Sequence, residues 1–166
     1  LYPEAKFFVG PVVNEGFYYD FKINSKISDE DLPKIEKKMK ELADKKLAIT
    51  RHETTREEFY EEFKNDELKQ AVLKNIKDEV ITVYKQGDFK DLCRGPHLPN
   101  TRMIRSFKLT RVAGAYLGGD EKNEMITRIY GISFFDKKAL NDYVTMIEEA
   151  KKRDHRKLGT ELELFT

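Results

Sequence analysis

A strict alternation of apolar and polar side chains near the start of the chain constrains the fold more than any other feature. In residues 17–23, Phe17, Tyr19, Phe21 and Ile23 fall on one side, and the other side holds Tyr18, Asp20 and Lys22. A period of two residues is typical of a β-strand with one buried face. The apolar residues that flank Gly10-Pro11, followed by the turn residues 14–16, predict that this strand belongs to a β-hairpin.

Helical spacing dominates the segment at about 28–76. The first predicted helix, which Ser28 is expected to cap, has an apolar stripe made of Leu32, Ile35, Met39 and Leu42. Two shorter helices are predicted after it. One is capped by Thr54 or Thr55, and the other covers residues 66–76.

Strands are predicted, mainly from alternation and from β-branched or aromatic residues, at 47–51, 80–84, 106–110 and 125–135. Asp136 is expected to cap a long helix, and Gly159 is expected to end it. Because strands and helices do not alternate strictly, the pattern predicts an α+β fold. We expect a mostly antiparallel sheet with packed helices and a long C-terminal helix.

Composition narrows the class of protein. The 166 residues are 37% charged, yet 11 Phe and 8 Tyr supply the bulk of a core, which argues against wholesale disorder. No apolar run approaches the ~18 residues of a membrane span, so no membrane partner is expected. A single cysteine excludes an internal disulfide framework and fits a reducing compartment, so we expect a cytoplasmic location. The net charge of +1 by itself implies no polyanionic partner, although local clusters can still bind one.

The stretch Asp91-Leu92-Cys93-Arg94-Gly95-Pro96-His97 holds the only cysteine, four residues before one of three histidines. Cys and His are common zinc ligands and also a common nucleophile–base pair. Gly95-Pro96 cannot continue a helix, which places both side chains on a bent loop. Two ligands do not complete a zinc site, and a lone cysteine is often only a small buried side chain. The neighbouring Asp91 and Arg94 favour a functional interpretation.

Other polar residues allow two interpretations. Tyr19 fits the core, or it lines a pocket with its hydroxyl, whereas His52 is expected at the surface. The last predicted helix carries a basic run that fits either phosphate contacts or a solvated helix end, and its candidates for RNA binding are Lys151, Lys152, Arg153 and Arg156.

Seven segments that run in order along the whole chain carry a family resemblance: Val9-Gly10-Pro11-Val12, Gly16-Phe17-Tyr18-Tyr19-Asp20-Phe21, Asp91-Leu92-Cys93-Arg94-Gly95-Pro96-His97, Phe107-Lys108-Leu109, Ala113-Gly114-Ala115-Tyr116, Arg128-Ile129-Tyr130-Gly131 and Lys152-Arg153-Asp154-His155-Arg156-Lys157-Leu158-Gly159. Together they resemble the N-terminal editing domain of threonyl-tRNA synthetases, which is related to the additional domain of alanyl-tRNA synthetases. The last segment resembles the linker into the family's catalytic domain. The resemblance implies an editing-domain core at 1–135, and a C-terminal helix with linker at 136–166.

The resemblance also implies an enzymatic function. The family's editing domain hydrolyses the ester of serine wrongly attached to threonine tRNA, for which we expect a water-mediated mechanism. The catalytic roles are then assigned to His97, Cys93, Lys69 and Asp91. The substrate-binding residues are expected to be Tyr19, Arg94 and Gly95. For Lys69, a solvated helix lysine is the alternative interpretation.

Two departures from the family pattern matter. The family's cleft also uses a His-x-x-x-His pair, which is expected just upstream of Leu1, so the 166 residues are expected to be weakly active or inactive. Cys93 and His97 alone are an incomplete metal site. Zinc is expected only together with those upstream histidines, and no cofactor is required. In addition, Leu117-Gly118-Gly119-Asp120 stands where many relatives carry Trp-Arg-Gly-Asp.

The implied partner is the 3′ acceptor end of threonine tRNA. ATP would belong to the family's catalytic domain, and the full-length parent is expected to be a homodimer through other domains. Two rival functions stay open. One is a non-enzymatic module that binds the tRNA acceptor end, and the other is a zinc-binding structural domain.

Overall fold

The computed structural model describes residues 1–14 and 16–163, with side chains up to residue 157. These residues form four α-helices and eight strands, all paired antiparallel, which confirms the predicted α+β class. The strands are β1 Lys6–Phe7, β2 Val12–Val13, β3 Gly16–Lys22, β4 Ile49–Thr55, β5 Val80–Gln86, β6 Phe89–Leu92, β7 Ser106–Tyr116 and β8 Met125–Phe134. The helices are α1 Leu32–Asp44, α2 Arg56–Glu62, α3 Glu67–Asn75 and α4 Lys137–Glu163.

The alternating segment forms β3 in a five-stranded sheet, in which four strands follow the order β1-β3-β8-β7 and the fifth, β2, also pairs with β3. The short strands β1 and β2 pair with opposite ends of β3, so the predicted hairpin is confirmed with a break at Gly10-Pro11. One face of this sheet packs against α1, because alternate apolar side chains of β3, β7 and β8 point to the same side. The buried residues of this first core are Phe21, Ile27, Leu32, Leu109 and Ile129.

The other face of β3 does not simply meet solvent, as the pattern of a half-buried strand predicts. Asp20 is only 2% exposed. Arg128 of β8 donates two hydrogen bonds to the Asp20 carboxylate, at 2.6 and 2.8 Å. These hydrogen bonds raise the pKa of Arg128. A buried carboxylate is stable here because its charge is paired in the bidentate geometry that guanidinium favours.

A second sheet has the order β4-β5-β6 and packs against α2 and α3. Its core consists of Phe59, Leu73, Ile81 and Val83. Strand β6 lies in a region where no strand was predicted, and it pairs Asp91 with Tyr84. Strand β4 lies inside the segment at about 28–76, between the first two of its three helices.

Polar caps agree with the sequence at α2 and α4, whereas Ser28 precedes a single 3-10 turn, Asp29–Asp31, and Asp31 is the residue that directly precedes α1. The Thr55 hydroxyl accepts a hydrogen bond from the Glu58 amide at 3.2 Å, and the Asp136 carboxylate accepts one from the Ala139 amide at 2.7 Å. The helix end predicted at Gly159 is wrong, because α4 continues to Glu163. A glycine in a helix interior costs about 1 kcal/mol, which does not by itself end a helix. Among the described helices, none combines the length and the apolarity needed to cross a bilayer.

The second core depends on Phe59, which is fully buried and stacks on Phe63 with ring centroids 4.5 Å apart. We expect Phe59→Ala to lower the free energy of unfolding by about 3–5 kcal/mol, because it leaves a cavity. Urea denaturation followed by circular dichroism measures this loss. The matched control is Tyr60→Ala on the same helix, which should change stability by less than about 0.5 kcal/mol because Tyr60 is 52% exposed. Equal losses for the two variants would contradict this core.

Candidate functional site

A cavity of about 550 Å³ opens between residues 8–11, strands β5 and β6, and the loop that follows β6. We call it the Asp91 cavity. Five of the seven site residues predicted in the first 135 residues line it, namely Tyr19, Asp91, Cys93, Arg94 and His97. The geometry therefore brings together side chains that are as many as 78 positions apart (19 to 97) in the sequence.

Asp91 is the centre of a buried polar network. Its Oδ2 accepts a hydrogen bond from the Tyr19 hydroxyl of β3, and its Oδ1 accepts one from the Lys69 ammonium of α3. The Leu92 amide also donates to Oδ1, at 2.7 Å. A carboxylate offers about four acceptor positions, so one position on Oδ2 is left after these three contacts.

Tyr19 acts in this network as a neutral hydrogen-bond donor. Burial raises the pKa of the Tyr19 phenol above its usual value, and the Asp91 charge and the hydrogen bond to it raise this pKa further. Because the hydroxyl hydrogen points to Asp91, the oxygen lone pairs of Tyr19 are left to face the cavity. The Tyr19 ring packs directly on the backbone of Gly10, where any side chain would overlap the ring.

Lys69 lies behind the carboxylate rather than on the cavity wall. It is 3% exposed, and it is not among the residues that line the Asp91 cavity. The alternative of a solvated helix lysine is therefore wrong. Helix α3 presents Lys69 to Asp91 because its first turn is fixed by Asp66, whose carboxylate accepts hydrogen bonds from the Leu68 and Lys69 amides, each at 3.1 Å.

The loop that follows β6 bends back over β5. The Cys93 amide donates to the Thr82 carbonyl at 3.2 Å, and the Gly95 amide donates to the Cys93 sulfur at 3.3 Å. Gly95 has a φ of +73° and packs on the Tyr84 hydroxyl, so any side chain there would be strained and would also overlap Tyr84. Cys93 is half-buried and lines the cavity, so it is not the small, fully buried side chain that a lone cysteine often is.

His97 lies on the exposed rim of the cavity, where its ring contacts Tyr84 of β5. The ring centroids are 4.2 Å apart, with an interplanar angle of 44°. Tyr84 was not identified from the sequence as a site residue. The signal was present, however, because Ile81 and Val83 fill the second core and Tyr84 therefore points to the other face of its strand.

The remaining predicted residues are placed less centrally. The Arg94 guanidinium is exposed on the cavity rim, 3.9 Å from the Asp78 carboxylate. Gly95 supports the loop and does not line the cavity. The basic candidates on α4, all exposed, do not line it either; they are Lys151, Lys152, Arg153 and Arg156.

Metal ligands do not cluster in the part of the chain that the structure describes. No group of three or more His, Cys, Asp or Glu side chains there has the placement to hold a metal ion. Cys93 and His97 are two candidate ligands on one cavity wall.

Comparison with known proteins gives one domain match and close relatives. Residues 81–130 match the family described as "Threonyl and Alanyl tRNA synthetase second additional domain". The whole chain is 68% identical over 166 residues to a threonine--tRNA ligase of Campylobacter jejuni subsp. jejuni serotype O:2, of which it covers 28%. It is 69% identical over 166 residues to one of Helicobacter pylori (strain HPAG1), of which it covers 27%. The chain thus spans little more than a quarter of the length of these relatives.

The contact between Tyr84 and His97 leads to a spectroscopic prediction. In Tyr84→Leu we expect the His97 imidazole proton signals to lose their ring-current shift, whereas Tyr84→Phe should keep it. Proton NMR resolves this, because the chain has only three histidines. His52 and His155 serve as internal controls and should not move. If the His97 signals are the same in Tyr84→Leu and the unmodified chain, the ring contact is absent in solution.

The buried pair of Lys69 and Asp91 leads to a stability prediction. We expect Lys69→Met to lower the free energy of unfolding by about 3–5 kcal/mol near neutral pH, because Asp91 is left charged without its cation. Urea denaturation near neutral pH measures this loss. Lys74→Met on the exposed side of the same helix is the control, and an equal loss there would contradict the buried pair.

Proposed function

From the match of residues 81–130 to the second additional domain of threonyl and alanyl tRNA synthetases, we propose that the chain is the part of a threonine--tRNA ligase that hydrolyses the ester between serine and threonine tRNA, with weak or no activity as 166 residues alone. Serine is threonine without one methyl group. A binding pocket discriminates one methyl group by only ~1–3 kcal/mol, so a ligase for threonine needs a second, hydrolytic selection step. The relatives are threonine--tRNA ligases by name, which supports the assignment of this step to the same polypeptide.

The observation that carries the proposal is the meeting of Tyr19, Asp91, Cys93 and His97 on one cavity. Its volume of about 550 Å³ falls in the range of pockets that take a small organic ligand, and a terminal nucleoside with an attached amino acid has that scale. The wall combines a carboxylate, a phenol, a thiol and an imidazole, which are groups that bind an amino acid and handle protons.

Asp91 and Tyr19 are assigned to the amino acid part of the substrate. The free acceptor position on Asp91 Oδ2 suits the serine ammonium, which carries a positive charge. The oxygen of Tyr19 accepts a second hydrogen bond from the same ammonium or from the serine hydroxyl. Lys69 is a positioning residue in this scheme, because it holds Asp91 from behind instead of reaching the ester.

His97 is assigned to the attacking water. Imidazole is the side chain that most often serves as a general base near neutral pH. The water oxygen bonds to the ester carbonyl carbon while one of its protons passes to His97. The bond to the ribose oxygen then breaks and that oxygen takes up a proton, so that free serine and intact tRNA are released. Cys93 shapes the wall beside this water, and its sulfur is held by the Gly95 amide.

The proposal extends to the rest of the ligase. The three histidines at positions 52, 97 and 155 include no His-x-x-x-His pair, so we assign that second pair to a part of the ligase outside the 166 residues. Helix α4 is assigned as the connection to the aminoacylation domain, and the acceptor end of threonine tRNA as the partner.

The test is deacylation of threonine tRNA charged with radioactive serine. We expect the full-length ligase that contains this chain to release serine, and His97→Ala to lower the rate about 10²–10⁴-fold, which is the usual contribution of a general base. The control is His52→Ala, since His52 is an exposed residue of β4 that does not line the Asp91 cavity, and its Nε2 lies 2.7 Å from the Thr50 hydroxyl. His52→Ala should keep the full rate.

Two outcomes would contradict the proposal at different levels. An unchanged rate in His97→Ala would remove His97 from the mechanism. Binding of the charged tRNA without any release of serine by the full-length ligase would instead favour a module that only holds the acceptor end.

A further inference from the structure

A second cavity, of about 350 Å³, lies where α4 meets strands β7 and β8. We call it the Arg111 cavity; the side chains that matter in it are Arg111, Tyr130, Tyr143 and Lys151. We propose that this cavity binds a phosphodiester group of the RNA that carries the ester, with Arg111 and Lys151 as the anion ligands. This inference rests on the proposed function only in taking that RNA as the ligand.

A β-bulge directs Arg111 into this cavity. Leu109 pairs with Gly131 and Arg111 pairs with Tyr130, so Thr110 is an extra residue in β7. Without the bulge, Arg111 would face the first core, on the side of Leu109 and Val112. Bulges often reorient a side chain in this way near functional sites. The bulge therefore places the Arg111 cation on the face of the sheet opposite the first core, and Thr110 is left without a pairing partner on β8.

Aromatic rings hold the Arg111 guanidinium in place before any ligand arrives. The guanidinium carbon lies 4.0 Å from the centroid of the Tyr130 ring. Tyr130 in turn contacts Tyr18, with ring centroids 5.7 Å apart. The Arg128 guanidinium covers Tyr18 at 3.8 Å and is anchored by Asp20. A stacked guanidinium keeps its N–H donors at the rim free, which suits bidentate binding of a phosphate and lowers the entropy lost on binding.

Within the part of the chain that the structure describes, the charge in the Arg111 cavity is uncompensated. Of the described side chains that line it, Arg111 and Lys151 are charged, and none is a carboxylate. Neither cation has a salt bridge within the described residues. Arg128, by contrast, is neutralised by Asp20. Two free cations in a concave site lined by aromatic side chains favour an anion attached to a larger, partly apolar molecule, which describes a nucleotide chain better than a free ion.

The two cavities are neighbours along one segment of the chain. Residues 9–11 line the Asp91 cavity, and Val13, Gly16 and Phe17 line the Arg111 cavity. Along this segment, only Val12 of β2 therefore lies between the two sets of lining residues. For an RNA strand whose 3′ end occupies the Asp91 cavity, we place the path around the edge of the first sheet at β2, so that a phosphate of its backbone binds in the Arg111 cavity on the other face.

The test measures binding of a fluorescein-labelled RNA hairpin with the acceptor-stem sequence of threonine tRNA and an uncharged 3′-CCA end. Fluorescence anisotropy on the 166-residue chain at several salt concentrations gives the affinity and its salt dependence. We expect Arg111→Gln to weaken binding about three- to tenfold and to reduce the slope of log affinity against log salt by about one. Lys151→Gln should act in the same direction.

Variants at Tyr130 separate stacking from charge. Tyr130→Phe should keep the affinity, whereas Tyr130→Leu should lose about two- to fivefold through the lost cation–π contact with Arg111. The charge-matched control is Lys34→Gln, an exposed residue of α1 on the other face of the sheet, which should change neither affinity nor slope. Circular dichroism confirms that each variant is folded.

Three results would overturn the inference. If Lys34→Gln weakens binding as much as Arg111→Gln, the attraction is diffuse rather than sited. Inorganic phosphate is also titrated against the chain directly. If Arg111→Gln weakens binding of inorganic phosphate but not of the hairpin, the cavity takes the free ion only. If hairpin binding is unchanged in Arg111→Gln, the proposed RNA site is wrong, even when the full-length ligase releases serine normally. If Arg111→Gln weakens RNA binding but the ligase releases no serine, only the proposed hydrolysis is contradicted.

Discussion

The buried carboxylate of Asp91 is the constraint on which the rest of the structure depends. It accepts hydrogen bonds from Tyr19 of the first sheet and from Lys69 of α3, so it ties together two halves whose apolar cores share no residue. Removing a carboxylate and an ammonium from water costs several kcal/mol for each ion, and only well-placed partners offset that cost. The network therefore acts more as a device that specifies one arrangement of the two sheets than as a large source of stability.

The same network determines where the cavity wall lies. Asp91 belongs to β6, and the loop with Cys93 and His97 leaves that strand two residues later. Because Asp91 is fixed on both oxygens, the loop starts from a defined point, and Tyr84 supports it from below through Gly95 and the His97 ring. The side chains proposed to handle the ester thus inherit their positions from a structural link. Tyr19 and Asp91 both join the two sheets and line the cavity, so each side chain is largely buried and yet has one polar atom at the cavity wall.

Local features of the fold could be predicted from the sequence, and distant pairings could not. The caps at Thr55 and Asp136 depend on partners three residues away, and the strand at residues 17–23 follows from its own alternation. The burial of Lys69 depends on a partner 22 residues away, and that of Asp20 on one 108 residues away. The residues around Lys69 have the composition of an ordinary solvated helix. Its position next to Asp91 was therefore indicated only by the family resemblance, and not by the periodicity of the sequence. The bulge at Thr110 and strand β6 were missed because both are defined by the register of the neighbouring strand.

Strand β3 links the two proposed sites through its alternation. Tyr19 points to one face, where it meets Asp91, and Tyr18 and Asp20 point to the other, where they begin the row of rings and guanidinium groups that ends at Arg111. A slip of one residue in the pairing of β3 would exchange the two faces. It would remove the phenol from the carboxylate and the carboxylate from Arg128 at once. The register of one strand therefore governs the placement of side chains in both cavities.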